Sequence, residues 1–144
     1  MYSFNNDYSE GAHPRILQAM MEANLEQNQG YGLDSHCDTA RSLIKNAIAM
    51  EDVDIHFIPG GTQTNLLAIA AALRPWQAVI ATTLGHINVH ETGAIEATGH
   101  KVIAMPAPDG KLKPQDVEEA VARHTDEHMV QPKMVYISNS TEIG

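Results

Sequence analysis

Apolar residues recur at helical spacing in two early stretches. Ile16, Leu17, Met20 and Met21 share one face of a segment over residues 14–24, and Ala40, Leu43, Ile44 and Ala47 share one face over 35–50. Pro14 suits a first helical turn, where its missing N–H costs little. The polar and aromatic residues 1–11 read as an ordered arm outside the core, and 27–34 as a glycine loop carrying Tyr31. From Ile55 the pattern changes to short continuous apolar runs at 55–58, 78–81, 101–105 and 134–138, each predicting a buried strand. Between them lie an apolar helix that starts near Thr64 and is ended by Arg74-Pro75, a short helix over 91–94, and an amphipathic helix over 114–123. Strands alternating with helices predict an α/β domain with a mostly parallel sheet. Ligands of such sheets collect beyond the carboxyl ends of the strands, here the loops 60–65, 82–86 and 139–144.

The stretch Ile58-Pro59-Gly60-Gly61-Thr62-Gln63-Thr64-Asn65 reads as strand, glycine turn, helix. Its glycines tolerate positive φ and close approach of another group. Thr62 or Thr64 is the expected cap of the new helix. Free N–H groups at the positive end of the helix dipole can cradle a phosphate, although the same turn also serves with no ligand at all. It matches neither G-x-x-x-x-G-K-[ST] nor G-x-G-x-x-G, which argues against a flavodoxin-like or Rossmann-type nucleotide domain.

Composition narrows the setting. A chain of 144 residues with 43% hydrophobic content can bury a sizeable core. Nine basic against 18 acidic residues leave a net charge of −9, and no basic stripe offers itself to nucleic acid. Cys37 is the only cysteine, which excludes an internal disulfide and fits a reducing compartment. No signal peptide or long apolar span appears, so a cytoplasmic, non-membrane protein is expected. Residues 139–144 leave the last strand where an α/β domain normally continues into a helix. The sequence is therefore expected to be the front portion of a longer fold rather than a complete domain with a frayed end. The consecutive His36, Cys37 and Asp38 point different ways on a helix, and His86 and His90 lack the H-E-x-x-H glutamate, so no metal site is expected.

Several ordered motifs carry a resemblance. They are Phe4-Asn5-Asn6-Asp7-Tyr8-Ser9-Glu10-Gly11-Ala12-His13-Pro14, Tyr31-Gly32-Leu33-Asp34, Phe57 through Asn65, His86-Ile87-Asn88-Val89-His90-Glu91-Thr92-Gly93-Ala94, and Ile137 through Gly144. Together they resemble the threonine aldolases of the aromatic amino acid β-eliminating lyase/threonine aldolase family. The resemblance implies a pyridoxal 5'-phosphate enzyme of fold type I, of which residues 1–144 form the N-terminal part of the cofactor-binding large domain, with helices on both faces of the sheet. It implies a lyase that cleaves β-hydroxy-α-amino acids to glycine and an aldehyde. The alternatives are a β-eliminating amino acid lyase on the same cofactor, or a non-catalytic fragment that only binds phosphate or dimerises.

The resemblance also implies roles. Gly61 and Thr62 would hold the cofactor phosphate, His86 would stack on its ring, and Glu91 would lie at the cofactor site near the ring hydroxyl. Read without the resemblance, Glu91 is a carboxylate placed to favour a helix N-terminus. Asn6 would bind the substrate carboxylate in place of a serine, and Tyr31 would sit at the active-site rim, supplied across the interface of a homodimer or homotetramer. Glu142 occupies a loop position where related enzymes carry a histidine active in proton transfer, and a buried carboxylate can serve as a base there. This departure leaves open which β-hydroxy amino acid is cleaved. The Schiff-base lysine and the aspartate at the ring nitrogen would lie beyond Gly144. None of Lys45, Lys101, Lys111, Lys113 and Lys133 falls in a loop at a strand's carboxyl end, so the 144-residue chain is expected to be inactive alone.

Overall fold

The structure, a computed structural model, describes residues 10–144 and divides into two compact units, 1–57 and 58–144. In the first unit, helix α1 (Pro14–Ala23) begins with Pro14 in its first turn, and the His13 Nδ1 accepts the Arg15 N–H at 3.2 Å. Helix α2 (Ser35–Ile48) is capped by Asp34, whose Oδ1 accepts the Cys37 N–H at 2.9 Å. That backbone bond favours the ionised form and holds the Asp34 carboxyl below its ordinary range. Arg41 on α2 ties the unit together. Its guanidinium donates to the carbonyls of Gly32 (2.7 Å) and Ile55 (3.2 Å) and lies over the Phe57 ring.

Residues 55–58, expected as a strand, form none. A strand needs a ladder partner, and among the described residues none pairs with this run. An apolar run shows a wish for burial but not the presence of a neighbour.

The second unit is a parallel sheet with helices on both faces. It runs α3 (Gly61–Ala72), β1 (Gln77–Thr82), α4 (His86–Val89), α5 (Ala94–Ala97), β2 (Lys101–Met105), α6 (Pro114–Ala122) and β3 (Gln131–Val135), with strand order β2-β1-β3. The central strand β1 is buried on both sides, which is why 78–81 reads as an unbroken apolar run. Alternation divides its side chains. Val79 and Ala81 pack with Ile69 and Leu73 from the end of α3, Ile87 of α4 and Ile95 of α5. Ala78 and Ile80 pack on the opposite face with Ile103, Met105 and Ala120 of α6. The register places Val79 beside Val102 and Met134, so all three strands present the same parity to each face.

Three boundaries differ from expectation. Helix α3 starts at Gly61, and neither threonine caps it. Its N-cap is Gly60 at φ 85°, and the Thr64 hydroxyl instead donates back to the Gly60 carbonyl at 2.9 Å, while Thr62 is exposed. The short helix expected over 91–94 is two turns of helix, α4 before it and α5 after it, divided where Thr92 (φ 50°) and Gly93 (φ 77°) take the left-handed conformation. Strand β3 begins earlier than 134, because Gln131 already pairs with Gln77. Pro132 stands beside a register shift at Ala78/Val79, on a strand that pairs with β1 alone among the described residues, so its missing N–H breaks no bond to a further strand there.

Candidate functional site

The carboxyl ends of β1 and β3 open onto a cavity of about 310 Å³ lined by Gly61, Asn65, His86, Tyr136, Ser138 and Glu142 among others. Each element brings a distinct chemistry to it. The first intrahelical bond of α3 runs from the Thr64 N–H to the Gly60 carbonyl (3.1 Å), and no side chain caps the turn. The amides of Gly61, Thr62 and Gln63 therefore remain available at the positive end of a 12-residue helix. The loop after β1 turns into α4, whose first residue is His86, and the His86 N–H reaches the Ser138 hydroxyl from the β3 side at 3.4 Å.

Beneath His86 lies a buried carboxylate. Glu91 is 2% exposed, and its Oε1 takes a hydrogen bond from Asn65 Nδ2 at 2.5 Å and lies 2.9 Å from His86 Nδ1. Its Oε2 is buried without a hydrogen-bond partner. An ionised carboxylate in this position depends on its charge-assisted donors, because burial penalises the charge. The simple helix-terminus reading of Glu91 does not hold: its side chain is spent on Asn65 and His86, and only its carbonyl meets α5, accepting the Ala94 N–H. Asn65 Nδ2 also lies 3.5 Å from the Tyr136 hydroxyl, linking α3 to the end of β3. On the rim, His90 Nε2 and Glu142 Oε2 stand 3.7 Å apart, and the His86 and His90 rings are 5.5 Å apart at a 57° tilt.

Of the residues singled out from sequence, Gly61, His86 and Glu142 line one cavity, Glu91 supports His86 from below, and Thr62 stands in the exposed first turn of α3. Tyr31 is a fully exposed side chain at φ 64° in the glycine loop of the first unit. Asn6 lies outside the described residues. Sequence reasoning gave no role to Asn65, Tyr136, Ser138 or His90. Asn65 carried a signal, being four residues after Gly61 and so on the same helical face. Among the described residues no group of three or more His, Cys, Asp or Glu side chains could hold a metal ion, and no helix is long and apolar enough to cross a membrane.

The beta-eliminating lyase family model matches residues 6–144. The chain belongs to this family. Among β-eliminating lyase relatives, the low specificity L-threonine aldolase of Pseudomonas aeruginosa is 29% identical over 143 residues, covering 98% of this chain and 41% of that protein. The enzyme of the same name from Pseudomonas sp. (strain NCIMB 10558) matches equally, at 29% over 143 residues. The solved structure of Leishmania major threonine aldolase is 61% identical, covers 100% of this chain and 42% of its own, and superposes with a TM-score of 0.95. The fold is thus the pyridoxal-phosphate fold type I architecture of threonine aldolase, of which the parallel sheet and its flanking helices are part. The chain spans about two-fifths of the length of the relatives it matches.

Proposed function

We propose that these residues form part of the cofactor site of a pyridoxal-phosphate-dependent lyase that cleaves β-hydroxy-α-amino acids to glycine and an aldehyde. The observation that carries this reading is the meeting of free α3 amides and the His86 ring at one cavity, in a chain 61% identical to a threonine aldolase along its whole length. The donor set fits the cofactor. A helix N-terminus with uncapped amides suits a phosphate dianion, and a flat ring half-exposed beside it suits a pyridine face. When bound, pyridoxal phosphate would supply an electron-accepting ring for the pair released as the Cα–Cβ bond breaks.

The chain's own residues have simpler tasks. Gly61 and Thr62 hold the phosphate through main-chain N–H groups, and the Thr62 hydroxyl is exposed and free to add a further donor. His86 is the residue that would hold the cofactor ring, through its flat face on the cavity wall. Glu142 is the candidate base for the substrate's β-hydroxyl proton, and its Oε2 stands 3.7 Å from His90 Nε2. Asn6 and Tyr31 are assigned to the substrate carboxylate and the site rim, the latter across a homodimer or homotetramer interface. Residues 1–144 then act as the N-terminal part of the large domain. No lysine lines the cavity, so Lys45, Lys101, Lys111, Lys113 and Lys133 are not expected to bond the cofactor, and the 144-residue chain is expected to lack turnover alone.

Titration of the 15N-labelled protein with pyridoxal phosphate tests the site. The amides of Gly61, Thr62 and Gln63 and the His86 ring signals are expected to shift together, and shifts confined to other residues would overturn the assignment. Borohydride reduction of the same sample is expected to give scattered, substoichiometric lysine labelling. Stoichiometric labelling of one lysine with glycine release from threonine would show that the chain does hold its own cofactor lysine.

A further inference from the structure

We propose that Asn65 is a positioning residue that fixes the spacing between the two halves of the cavity, the free amides of α3 and the His86 ring. These halves stand on different elements, and apolar packing alone does not set their separation. Leu66, Ile69 and Leu73 pack the later turns of α3 with Ile87 and Ile95, whereas residues 61–64 are exposed. The amide-bearing turn therefore projects beyond its own hydrophobic anchorage. Hydrophobic contact is non-directional and leaves such a helix end free to shift, whereas a hydrogen bond has a fixed length and direction. Asn65, one turn after Gly61, supplies that bond. Its Nδ2 donates to Glu91 Oε1 at 2.5 Å, and the same oxygen lies 2.9 Å from His86 Nδ1. The one hydrogen bond from another α3 side chain among the described residues runs from Thr64 back to Gly60, the helix's own N-cap.

The tie is firm at its far end, because the Glu91 side chain is fully buried and cannot follow a displaced helix into solvent. An amide N–H finds a lone pair on a carboxyl oxygen in either proton state, so the tie does not depend on where the proton between Glu91 and His86 resides. Its consequence is selectivity. A fixed spacing favours a ligand that carries an anionic group and an aromatic ring at one matching separation over the anion alone, since two contacts of one ligand add only when both are reached at once. Losing Asn65 is then expected to cost the ring contact and spare the anion contact, because the amides of 61–63 belong to the main chain. A residue that only stabilised the fold would weaken both alike. The identity of that ligand, a phosphorylated pyridine, rests on the proposed function.

The test compares the affinities of the 144-residue chain for pyridoxine 5'-phosphate and for inorganic phosphate by NMR titration. Pyridoxine phosphate carries a pyridine ring and a phosphate but no aldehyde, so it forms no imine with surface lysines. The unmutated chain is expected to bind it about three- to tenfold more tightly than phosphate, the contribution of one stacked ring. Asn65→Leu, which keeps the side chain's size and removes the donor, is expected to bring that ratio to about one while the affinity for phosphate stays unchanged. An unchanged ratio in a folded Asn65→Leu protein would overturn the proposal, and so would an equal weakening of both compounds. Hydrogen exchange supplies a second measurement that needs no variant. The Asn65 side-chain amide protons are expected to exchange slowly in the unmutated chain, and free exchange would overturn the proposal even if Asn65→Leu failed to fold. Equal binding of the two compounds to the unmutated chain would refute this inference and leave the phosphate cradle standing, whereas binding of neither would refute the proposed function as well.

Discussion

Replacing Asn65 by alanine tests whether the buried Glu91 carboxylate is held by its neighbours. The side chain of Glu91 is fully buried, and both of its protein partners, Asn65 and His86, meet the single atom Oε1. Asn65→Ala removes one charge-assisted hydrogen bond and leaves the charge with His86 alone. A hydrogen bond to a charged group contributes about 1.5–3 kcal/mol, and the desolvated carboxylate has no water to replace it. A loss of about 2 kcal/mol in a unit of roughly 60–100 residues lowers Tm by roughly 8–16 °C. Trp76 is the only tryptophan and belongs to the same unit as Asn65, so urea unfolding followed by its fluorescence reads that unit selectively. The second arm of the experiment is a double-mutant cycle. In a Glu91→Leu background the charge is gone, and the cost of Asn65→Ala is expected to fall by about 1.5 kcal/mol or more. An Asn65→Ala protein with an unchanged urea midpoint and an unchanged slope would refute the reasoning, as would an equal cost in both backgrounds.

Two further substitutions follow from local geometry and titration. Gly110 sits at φ 70°, and a Cβ there would lie 2.9 Å from the Thr141 Cβ, so Gly110→Ala is expected to destabilise by about 1–3 kcal/mol, measured by the same unfolding curve. Gly110→Ala combined with Thr141→Ser is expected to recover little of that loss, since serine keeps the Cβ that lies nearest to the new methyl group. In the first unit, the 2.6 Å contact of His36 with Glu26 raises the imidazole above its ordinary value and lowers the carboxyl below its own. The raised histidine contributes stability fully present below its unfolded value of about 6.5, and lost as pH rises through the folded value. The lowered glutamate contributes above about 4.3 and loses that contribution as pH falls through its folded value. The pair is therefore strongest between those limits. A proton NMR titration of His36 is expected to give a midpoint above that of free histidine, returning to it in Glu26→Gln.

The parts of the fold that sequence makes legible are those decided within a few residues. Pro14 and Asp34 mark the starts of α1 and α2, Pro114 that of α6, and the unbroken apolar run of β1 announces a strand covered on both sides. What depends on a distant partner is not legible. Residues 55–58 look as apolar as 78–81, yet only the latter has neighbours to complete its ladder. The same holds for the site. The contacts Asn65 makes to Glu91 and Tyr136 span 26 and 71 residues of sequence, and the longer of them depends on β3 lying beside β1 in the order β2-β1-β3.

His86 and Glu91 are only five residues apart, and their pairing was still not foreseeable. On a continuous helix, residues five apart point to different faces. They meet because α4 stops after one turn and the chain reverses through Thr92 and Gly93, both in the left-handed region. A β-branched residue is disfavoured there, at a cost on the order of 1–2 kcal/mol, so nothing in its chemistry announces the turn. The surrounding contacts hold it in place. Ile87 and Ile95 are buried on either side of the reversal, in the cluster beneath β1, and pull α4 and α5 onto the same sheet face. With both short helices anchored, the linker between them has little choice of path, and Glu91 is carried beneath His86 rather than out to solvent. The strained threonine and the unpartnered carboxylate oxygen thus occupy the same short reversal, beside the cavity. Neither feature favours folding, and both are accounted for if this turn exists to place a carboxylate under the imidazole.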